Sequence, residues 1–176
     1  ALERELGVYA AGVSIEPAPD LAAAVGQSDI IVTATPSYKP LVQAAWVRPG
    51  THFSCVGADL AGKQELDGAI LAGARVYTDD TPQCLAVGEV EMAVKQGFLA
   101  PQEIAGELGQ VLAGQKPGRT GDGDITVFDT TGIALQDLAA AQGRGDGRGH
   151  GGAAVSEKEE YDEDSGFWRR DVDERL

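Results

Sequence analysis

The stretch Asp29-Ile30-Ile31-Val32-Thr33-Ala34-Thr35 decides the fold that this sequence predicts. It is a run of β-branched residues without polar alternation, which is typical of a strand buried on both faces of a sheet. Outward from it, shorter strands are predicted over residues 12–17, 51–56, 75–79 and 124–129. Helical patterns are predicted over residues 21–25, 65–72, 81–97, 101–112 and 133–141. Strands that alternate with helices form βαβ units, so we predict an α/β fold with a doubly wound, mostly parallel sheet.

The overall composition narrows the class of protein. The chain has 176 residues, of which 43% are hydrophobic and 24% charged, as is typical of a soluble globular protein. Its 28 acidic and 14 basic residues give a net charge of −14, and such an acidic surface disfavours nucleic acid as a partner. No apolar run approaches the roughly 20 residues that span a bilayer, so we predict no membrane association.

The few cysteines and histidines indicate neither a metal site nor a disulfide scaffold. Cys55 and Cys84 are the only cysteines, and His52 and His150 lie far apart along the chain. No metal-ligand spacing results, so we predict no bound metal. His52 falls inside a predicted strand and is interpreted as a packed side chain. No secretory signal is visible, and we expect a cytoplasmic location.

Residues 142–176 differ in composition from the rest of the chain. Residues 143–152 are rich in glycine, and a dense run of charges follows over residues 157–164. Few apolar residues are available to offset the entropy of ordering, so we predict that this tail is mostly disordered. The glycines at 147–152 match the dinucleotide spacing G-x-G-x-x-G, but no strand precedes them and no helix follows. We attribute that match to chance and divide the chain into a domain over residues 1–141 and a tail.

Ligands of doubly wound sheets bind beyond the carboxyl ends of the strands. In this sequence those ends carry short polar or glycine-containing segments: Thr33-Ala34-Thr35-Pro36-Ser37, Gly57-Ala58-Asp59, Asp79-Asp80-Thr81 and Asp129-Thr130-Thr131-Gly132. We expect these segments to meet at one edge of the sheet and to form the binding site. The topology by itself does not identify the ligand.

The part of the chain before the tail carries a series of short motifs. They lie at residues 29–37, 49–52, 57–66, 79–80, 88–89, 107–114, 118–119 and 124–137. In order and spacing, over about residues 8–141, they resemble the ornithine cyclodeaminase/mu-crystallin family. The segments 57–66 and 128–137 look closest to the archaeal alanine dehydrogenase branch of that family.

The resemblance implies a Rossmann-type domain that binds NAD or NADP, joined to a second domain for dimerisation and substrate binding. It implies a homodimer and a small amino-acid or imino-acid substrate. The reaction it implies is hydride transfer between the α-carbon of the amino acid and the nicotinamide, through an imine. The glycine-rich phosphate loop and the ribose-binding acidic residue of the family are expected ahead of Ala1, so we expect an N-terminally incomplete domain.

The resemblance also implies roles for individual residues. Asp59 falls at the position of the family's catalytic acid/base, and a partly desolvated carboxylate there would have a raised pKa suited to proton transfer. Without the resemblance, Asp59 is more simply interpreted as a turn-forming residue. We assign no chemistry to Lys63 or Glu65. The residues expected to contact the cofactor are Thr33, Thr35, Pro36, Ser37, Gly57, Ala58, Thr131 and Gly132.

The sequence leaves two functional classes open. One is an NAD(P)-dependent oxidoreductase or deaminase that acts on a small amino acid. It would be of the alanine dehydrogenase or imine reductase type, or an ornithine cyclodeaminase that yields proline and ammonia. The other class is an inactive truncated remnant of the nucleotide domain, or a non-catalytic mu-crystallin-like binding protein. The substrate and the choice between NAD and NADP stay open, because the residues that read them are expected outside this sequence.

Overall fold

The computed structural model describes residues 15–134, 138–139, 159–162 and 167–170. The chain divides into two units, Ala1–Ala134 and Leu135–Leu176. The strands of the first unit are β1 (Ile30–Thr33), β2 (Tyr38–Val42), β3 (His52–Cys55), β4 (Gln64–Leu66), β5 (Arg75–Thr78), β6 (Gly106–Glu107) and β7 (Thr126–Asp129). Its helices are α1 (Leu21–Gln27), α2 (Gly68–Ala72), α3 (Thr81–Ala86), α4 (Glu89–Lys95) and α5 (Leu108–Leu112), with 3₁₀ turns at Ala44–Trp46 and Pro101–Glu103.

Five of these strands form one sheet in the order β1-β3-β7-β5-β6, and every neighbouring pair is parallel. The register aligns four residues across the longer strands: Ile31, Phe53, Val127 and Val76. β2 and β4 pair separately as a short parallel sheet. Helices lie between the strands along the chain, so the predicted α/β fold with a mostly parallel, Rossmann-type sheet is confirmed.

The hydrophobic core lies on one face of the five-stranded sheet. Successive residues of a strand point to opposite faces, and the aligned Phe53, Val76 and Val127 are completely buried. They pack with apolar residues of α1 to α4, which are Val25, Ile70, Leu71, Cys84, Val90 and Ala93. Burial of this shared face fixes the register of the central strands, because a slip by one residue would turn the apolar set towards solvent.

β1 lies at the edge of the sheet, and its exposure corrects the expectation from the sequence. Ile30 and Val32, on the face opposite the core, are 67% and 65% exposed, whereas Thr33 on the core face is buried. The prediction of a strand buried on both faces is therefore wrong for the part of the chain that the structure describes. β1 is exposed because it is the first strand in the sheet order and pairs with only one described neighbour, β3.

The helix predicted over residues 65–72 begins later than the sequence indicates. Glu65 lies in β4, which pairs with β2, and α2 begins at Gly68. The Asp67 side chain explains this start, because it accepts a hydrogen bond from Ala69 N at 3.0 Å and so caps the helix.

Glycine interrupts two other predicted helices. Residues 81–97 form α3 and α4 rather than one helix, because Gly88 between them has a φ of 103°, which glycine adopts without strain. Residues 101–112 form a 3₁₀ turn, β6 and α5, and Gly106 in β6 has a φ of 152°. Since β6 pairs with β5, strand pairing overrides the helical pattern in this region.

Three of the predicted strands and one predicted helix are confirmed. The strands predicted at 51–56, 75–79 and 124–129 are present as β3, β5 and β7, with shorter limits. Helix α1 is present as well, and the Asp20 side chain caps it by accepting a hydrogen bond from Ala23 N. Among the described residues, no helix combines the length and apolar character needed to cross a membrane.

The second unit is described at two strands. β8 (Glu159–Asp162) and β9 (Phe167–Arg170) pair as an antiparallel two-stranded sheet. The rest of residues 142–176 lies outside the described residues, so the predicted disorder of that tail stays a prediction. The strand predicted at 12–17 and the helix predicted at 133–141 also lie largely outside them.

Candidate functional site

The carboxyl ends of four parallel strands lie side by side. The sheet register aligns the last residues of β1, β3, β7 and β5, which are Thr33, Cys55, Asp129 and Thr78. The segments that follow these strands therefore leave the sheet at one edge, which we call the carboxyl edge. As the sequence predicts, it carries residues 34–37, 56–59, 79–81 and 130–132.

The loops after β1 and β3 contact each other through their backbones. Val56 N and Gly57 N donate hydrogen bonds to Thr33 O at 2.8 and 3.1 Å. Gly57 passes so close to the first loop that an added Cβ would lie 2.5 Å from both Thr35 N and Thr35 O. The packing of the two loops therefore requires glycine at this position.

The predicted cofactor contacts differ in accessibility. Thr35 and Pro36 are exposed at the carboxyl edge, whereas Thr33 and Ala58 are buried. Ser37 is half-buried, and its hydroxyl already donates to a backbone carbonyl two residues further on, at 2.7 Å. Thr35 and Pro36 are therefore open to a ligand at this edge, whereas Thr33 and Ala58 are not, and the role of all four as cofactor contacts stays a prediction.

Asp59 follows β3 with its side chain 55% exposed, and Lys63 contacts it directly. Lys63 Nζ donates a hydrogen bond to Asp59 Oδ1 at 2.5 Å, and the Lys63 side chain is only 12% exposed. This hydrogen bond holds the pKa of Asp59 below its ordinary value. The expectation of a pKa raised by desolvation is therefore wrong, because the carboxylate is open to solvent and ion-paired. Asp59 is consequently ionised at neutral pH.

The loop after β7 is held by side chains of the neighbouring strand end and helix. Asp79 Oδ2 accepts hydrogen bonds from Thr130 Oγ1, Thr131 N and Gly132 N, at 2.8, 2.9 and 3.1 Å. Gln83 Nε2 donates to Thr131 Oγ1 and to Gly132 O, each at 2.8 Å. The amides of Thr131 and Gly132 are thus engaged within the protein, and their role as cofactor contacts stays a prediction.

Asp79 acts on this loop as an ionised acceptor. Burial favours its neutral form, but hydrogen bonds, above all the one from Thr130, outweigh burial and hold the pKa of Asp79 below its ordinary value. The Cys84 thiol donates to Asp79 Oδ1 at 3.2 Å, and burial raises the pKa of that thiol. Cys84 is therefore a neutral donor rather than a nucleophile.

Four buried carboxylates lie behind the carboxyl edge, and of these the sequence pattern placed only Asp129 in a segment of the expected site. Glu65, Glu89, Glu91 and Asp129 are each at most 1% exposed. In every case the carboxylate accepts a hydrogen bond from the backbone amide of another segment. Such bonds are charge-assisted when the carboxylate is ionised, and they are stronger than bonds between neutral groups.

Three of these carboxylates link successive elements of the fold. Glu65 Oε1 accepts from Thr35 N at 2.6 Å, and Glu89 Oε1 accepts from Glu65 N at 2.6 Å. Asp129 Oδ2 accepts from Val90 N at 2.9 Å, in the first turn of α4. The three side chains therefore connect β7, α4, β4 and the loop after β1 in series.

The fourth carboxylate supports the segment that carries Lys63. Glu91 Oε2 accepts a hydrogen bond from Gly62 N at 2.8 Å, and Glu91 Oε1 pairs with Lys95. Gly62 has a φ of 80°, so this amide is offered by a tight turn. Glu91 thereby fixes the backbone next to Lys63, the partner of Asp59.

Burial raises the pKa of Glu89 to about 8 and that of Asp129 to about 7. Desolvation disfavours the charged form of each, and backbone hydrogen bonds offset it only in part. Both groups therefore titrate near neutral pH, and carboxylates of this kind concentrate at functional sites. In the described part of the chain, no group of His, Cys, Asp and Glu is arranged to hold a metal ion.

A cavity of about 610 Å³ lies away from the carboxyl edge. It opens on the sheet face opposite the core, where Ile30, His52 and Thr126 begin β1, β3 and β7. His52 Nδ1 contacts Thr126 Oγ1 at 2.8 Å, and burial together with Arg119 lowers the pKa of His52, so His52 is packed as predicted. We place the candidate site at the carboxyl edge, because the accessible carboxylate of Asp59 lies there.

Comparison with known proteins identifies relatives of this chain. The sequence profile of the ornithine cyclodeaminase/mu-crystallin family matches residues 4–143. Alanine dehydrogenase of Archaeoglobus fulgidus is 44% identical over 129 residues, which are 73% of this chain and 39% of that protein. An archaeal alanine dehydrogenase dimer with bound NAD superposes with a TM-score of 0.71 at 41% identity, over 80% of this chain and 42% of that one. The Δ1-pyrroline-2-carboxylate reductase of Thermococcus litoralis, in complex with NADH and L-proline, gives a TM-score of 0.73 at 28% identity, with the same coverage.

The matched region contains the whole carboxyl edge. The chain spans about two fifths of the length of these relatives. Within the chain, the profile match includes all five strands of the main sheet and each segment of the carboxyl edge. Sequence profile, pairwise identity and fold agree over this region. The chain therefore belongs to the ornithine cyclodeaminase/mu-crystallin family.

Proposed function

We propose that this chain supplies the catalytic edge of an NAD(P)-dependent amino-acid oxidoreductase or deaminase. The observation that carries the proposal is the position of Asp59, an accessible carboxylate at the same edge as the exposed residues Thr35 and Pro36. The relatives solved with NAD or NADH support the class of cofactor. Hydride transfer at the α-carbon of a small amino acid, through an imine, is the reaction that we assign to this edge.

The residues at the carboxyl edge fit a dinucleotide. In doubly wound sheets a dinucleotide lies across this edge, and here the edge offers exposed hydroxyl and backbone groups at Thr35 and Pro36 beside an accessible carboxylate. We propose that residues 33–37 contact its ribose or adenine, and that Gly57, Thr131 and Gly132 lie near the nicotinamide. When bound, NAD or NADP accepts the hydride that leaves the α-carbon.

In this proposal the Asp59 carboxylate acts on the nitrogen of the substrate. As the hydride leaves the α-carbon with its two electrons, positive charge develops on nitrogen, and an N–H proton must then leave. The ionised Asp59 carboxylate stabilises that charge and accepts the proton. Because its pKa is lowered, stabilisation of the charge is the larger of the two contributions. Lys63 orients the carboxylate through their hydrogen bond.

The substrate that we propose is a small amino acid, or the corresponding imino acid in the reverse direction. Oxidation of alanine, reduction of an imine and conversion of ornithine to proline and ammonia all pass through an imine at the α-carbon. Relatives of the first two types are a dehydrogenase and a reductase. Because the archaeal relative is a dimer, we propose a homodimer, in the cytoplasm, for the active protein.

A non-catalytic binding role is the second candidate. The observation that favours it is the Lys63–Asp59 ion pair, which lowers the pKa of Asp59 and so weakens it as a proton acceptor. In that case the carboxyl edge binds a nucleotide or amino acid without turnover.

A fusion protein distinguishes the two candidates. It joins this chain to the part of Archaeoglobus fulgidus alanine dehydrogenase that the chain does not span, and NADH formation is measured with a panel of small amino acids. We expect turnover with at least one of them, and a fall of about 10² to 10⁴ in kcat for Asp59→Asn with NAD⁺ binding retained. Asp122→Asn, an exposed change of the same kind, is the matched control. A folded fusion that binds NAD⁺ but turns over none of the substrates would support the binding role instead.

A further inference from the structure

We propose that Glu65 is a positioning residue of the carboxyl edge, which fixes the loops after β1 and β3 against each other and so holds residues 33–37 in place for the cofactor. The part of this inference that concerns the cofactor rests on the proposed function. The part that concerns the loops rests on the geometry of this chain alone. Glu65 does not reach the surface, so it acts through the loops rather than on a ligand.

The first observation is the contact between Glu65 and the loop after β1. Glu65 lies in β4, all of whose residues are buried, and its own exposure is 0%. Its Oε1 accepts a hydrogen bond from Thr35 N at 2.6 Å, across 30 residues of sequence. Thr35 is itself exposed, so this bond ties an exposed loop to the interior of the protein.

The second observation concerns the other oxygen of the same carboxylate. A Cβ added to Gly57 would lie 2.5 Å from Glu65 Oε2, as close as it would lie to Thr35 N. The loop after β3 therefore rests on the same side chain that holds the loop after β1. Only Ala58 separates Gly57 from Asp59, whose N–H donates to Gly57 O at 3.1 Å.

The third observation is that one oxygen of the Glu65 carboxyl group has no described hydrogen-bond partner. Its Oε2 is buried and has no hydrogen-bond partner among the described residues. A buried acceptor without a partner disfavours folding, and an apolar residue of similar volume avoids that cost. Stability therefore does not account for glutamate at this position, whereas the hold on Thr35 does.

The position of Glu65 is itself fixed. Its backbone N–H donates to Glu89 Oε1 at 2.6 Å, and Glu89 lies in α4, which packs on the sheet. Glu65 is thus a rigid support on which the exposed loop rests. Loss of the carboxylate releases the loop after β1, while Asp59 remains paired with Lys63. We therefore expect cofactor affinity to fall more than the rate of the chemical step.

The first test uses this chain and does not depend on its activity. In the nitrogen-15-labelled chain, the hydrogen-exchange rate of the Thr35 amide reports the bond to Glu65. We expect the rate to rise about tenfold or more in Glu65→Leu, and to change by less than about threefold in Glu65→Gln, which keeps an accepting oxygen. Glu103→Leu is the matched control, since Glu103 accepts a bond from Ala100 N at 2.7 Å on an exposed turn. That variant should leave the Thr35 exchange rate unchanged.

The second test measures kinetics in the fusion protein. Glu65→Leu should raise the KM for NAD⁺ about tenfold and change kcat by less than about threefold. Glu65→Gln, which keeps an accepting oxygen, should have a KM for NAD⁺ close to that of the wild type. Glu65→Asp keeps a carboxyl group but withdraws its oxygen from Thr35, so it should also raise the KM for NAD⁺. This variant serves as the test if Glu65→Leu does not fold. Glu103→Leu should leave both parameters unchanged.

The outcomes separate this inference from the proposed function. An unchanged Thr35 exchange rate in Glu65→Leu would overturn the inference at the level of the loop. Faster exchange with an unchanged KM in an active fusion would overturn its cofactor part and leave the proposed function intact. A fusion that binds NAD⁺ without turnover would overturn the catalytic proposal, and the Kd for NAD⁺ in Glu65→Leu would then test the cofactor part. A fusion that binds no NAD⁺ would overturn both, and the exchange experiment alone would then decide whether Glu65 positions the loop.

Discussion

Replacement of Glu89 by glutamine should change the pH dependence of stability with a sign and size that follow from its burial. Burial raises the pKa of Glu89 from 4.5 to about 8. The folded state therefore binds this proton more tightly than the unfolded state does. The free energy of unfolding then falls as the pH rises from about 4.5 to about 8, and the loss is complete above that range.

The size of the effect follows from the two pKa values. At 1.36 kcal/mol per pH unit, the difference between them corresponds to a loss on the order of 5 kcal/mol. Side chains and water relax around a buried charge, so we expect an observed loss of about 2 to 3 kcal/mol. Glu89→Gln keeps an oxygen that can accept the bond from Glu65 N, loses the acceptor of the longer bond from Leu66 N at 3.2 Å, and does not titrate.

Urea unfolding of the 176-residue chain, followed by tryptophan fluorescence, measures the effect. We expect the stability of Glu89→Gln relative to wild type to rise by about 2 to 3 kcal/mol between pH 5 and pH 9, because only the wild type loses stability as Glu89 ionises. Glu103→Gln controls for the loss of one negative charge at an exposed site, and its difference from wild type should stay the same at both pH values. A constant difference between Glu89→Gln and wild type across this range would refute a buried, titrating Glu89.

Three further changes test other contacts of the site. Gly57→Ala should lower the free energy of unfolding by about 1 to 3 kcal/mol in the urea assay, because its Cβ would meet backbone at 2.5 Å. Gly109→Ala, with open space around it in α5, is the control and should be neutral or stabilising in the same assay. Lys63→Met removes the hydrogen bond that lowers the pKa of Asp59, so the acidic limb of the pH–rate profile of the fusion should move to higher pH. Asp79→Ala removes the acceptor of the Thr131 and Gly132 amides, and hydrogen exchange at these two amides should become at least about tenfold faster.

The central strands could be predicted because apolar residues recur at every second position between turn signals, as at Phe53 and Cys55 or Ile125 and Val127. Residues 51–56 and 124–129 carry that pattern, and burial against the helices confirms it. β4 and β6 could not be predicted, because they are three and two residues long and exist through pairing with β2 and β5. Short strands of this kind depend on their partner rather than on their own sequence, so a helical pattern nearby conceals them.

The candidate site, too, could be predicted only in part. The place of Asp59 could be predicted, because a parallel sheet brings every carboxyl end to one edge. Its lowered pKa could not, because the contact with Lys63 depends on the turn at Gly62. The structural roles of Glu65 and Glu89 could not be predicted either. A sequence pattern counts glutamate as a polar surface residue and does not show which buried backbone amide it can bind. The sequence did carry one sign of a helix start there, because Gly88 is followed by the acidic residues Glu89 and Glu91 in the first helical turn.

The buried carboxylates explain how a sheet edge built from short strands keeps a fixed shape. Each of the three that lie in series accepts an amide from the next element: Asp129 holds the start of α4, Glu89 in α4 holds β4, and Glu65 in β4 holds the loop after β1. Two of them keep an oxygen without a partner among the described residues, and two have pKa values raised by burial, so the arrangement costs stability. Apolar side chains would fill the same space without that cost, but they would leave the amides of the edge unsatisfied and its loops free to move. The acidic side chains behind the edge are therefore best understood as the means by which the fold holds the backbone beside Asp59 in one arrangement.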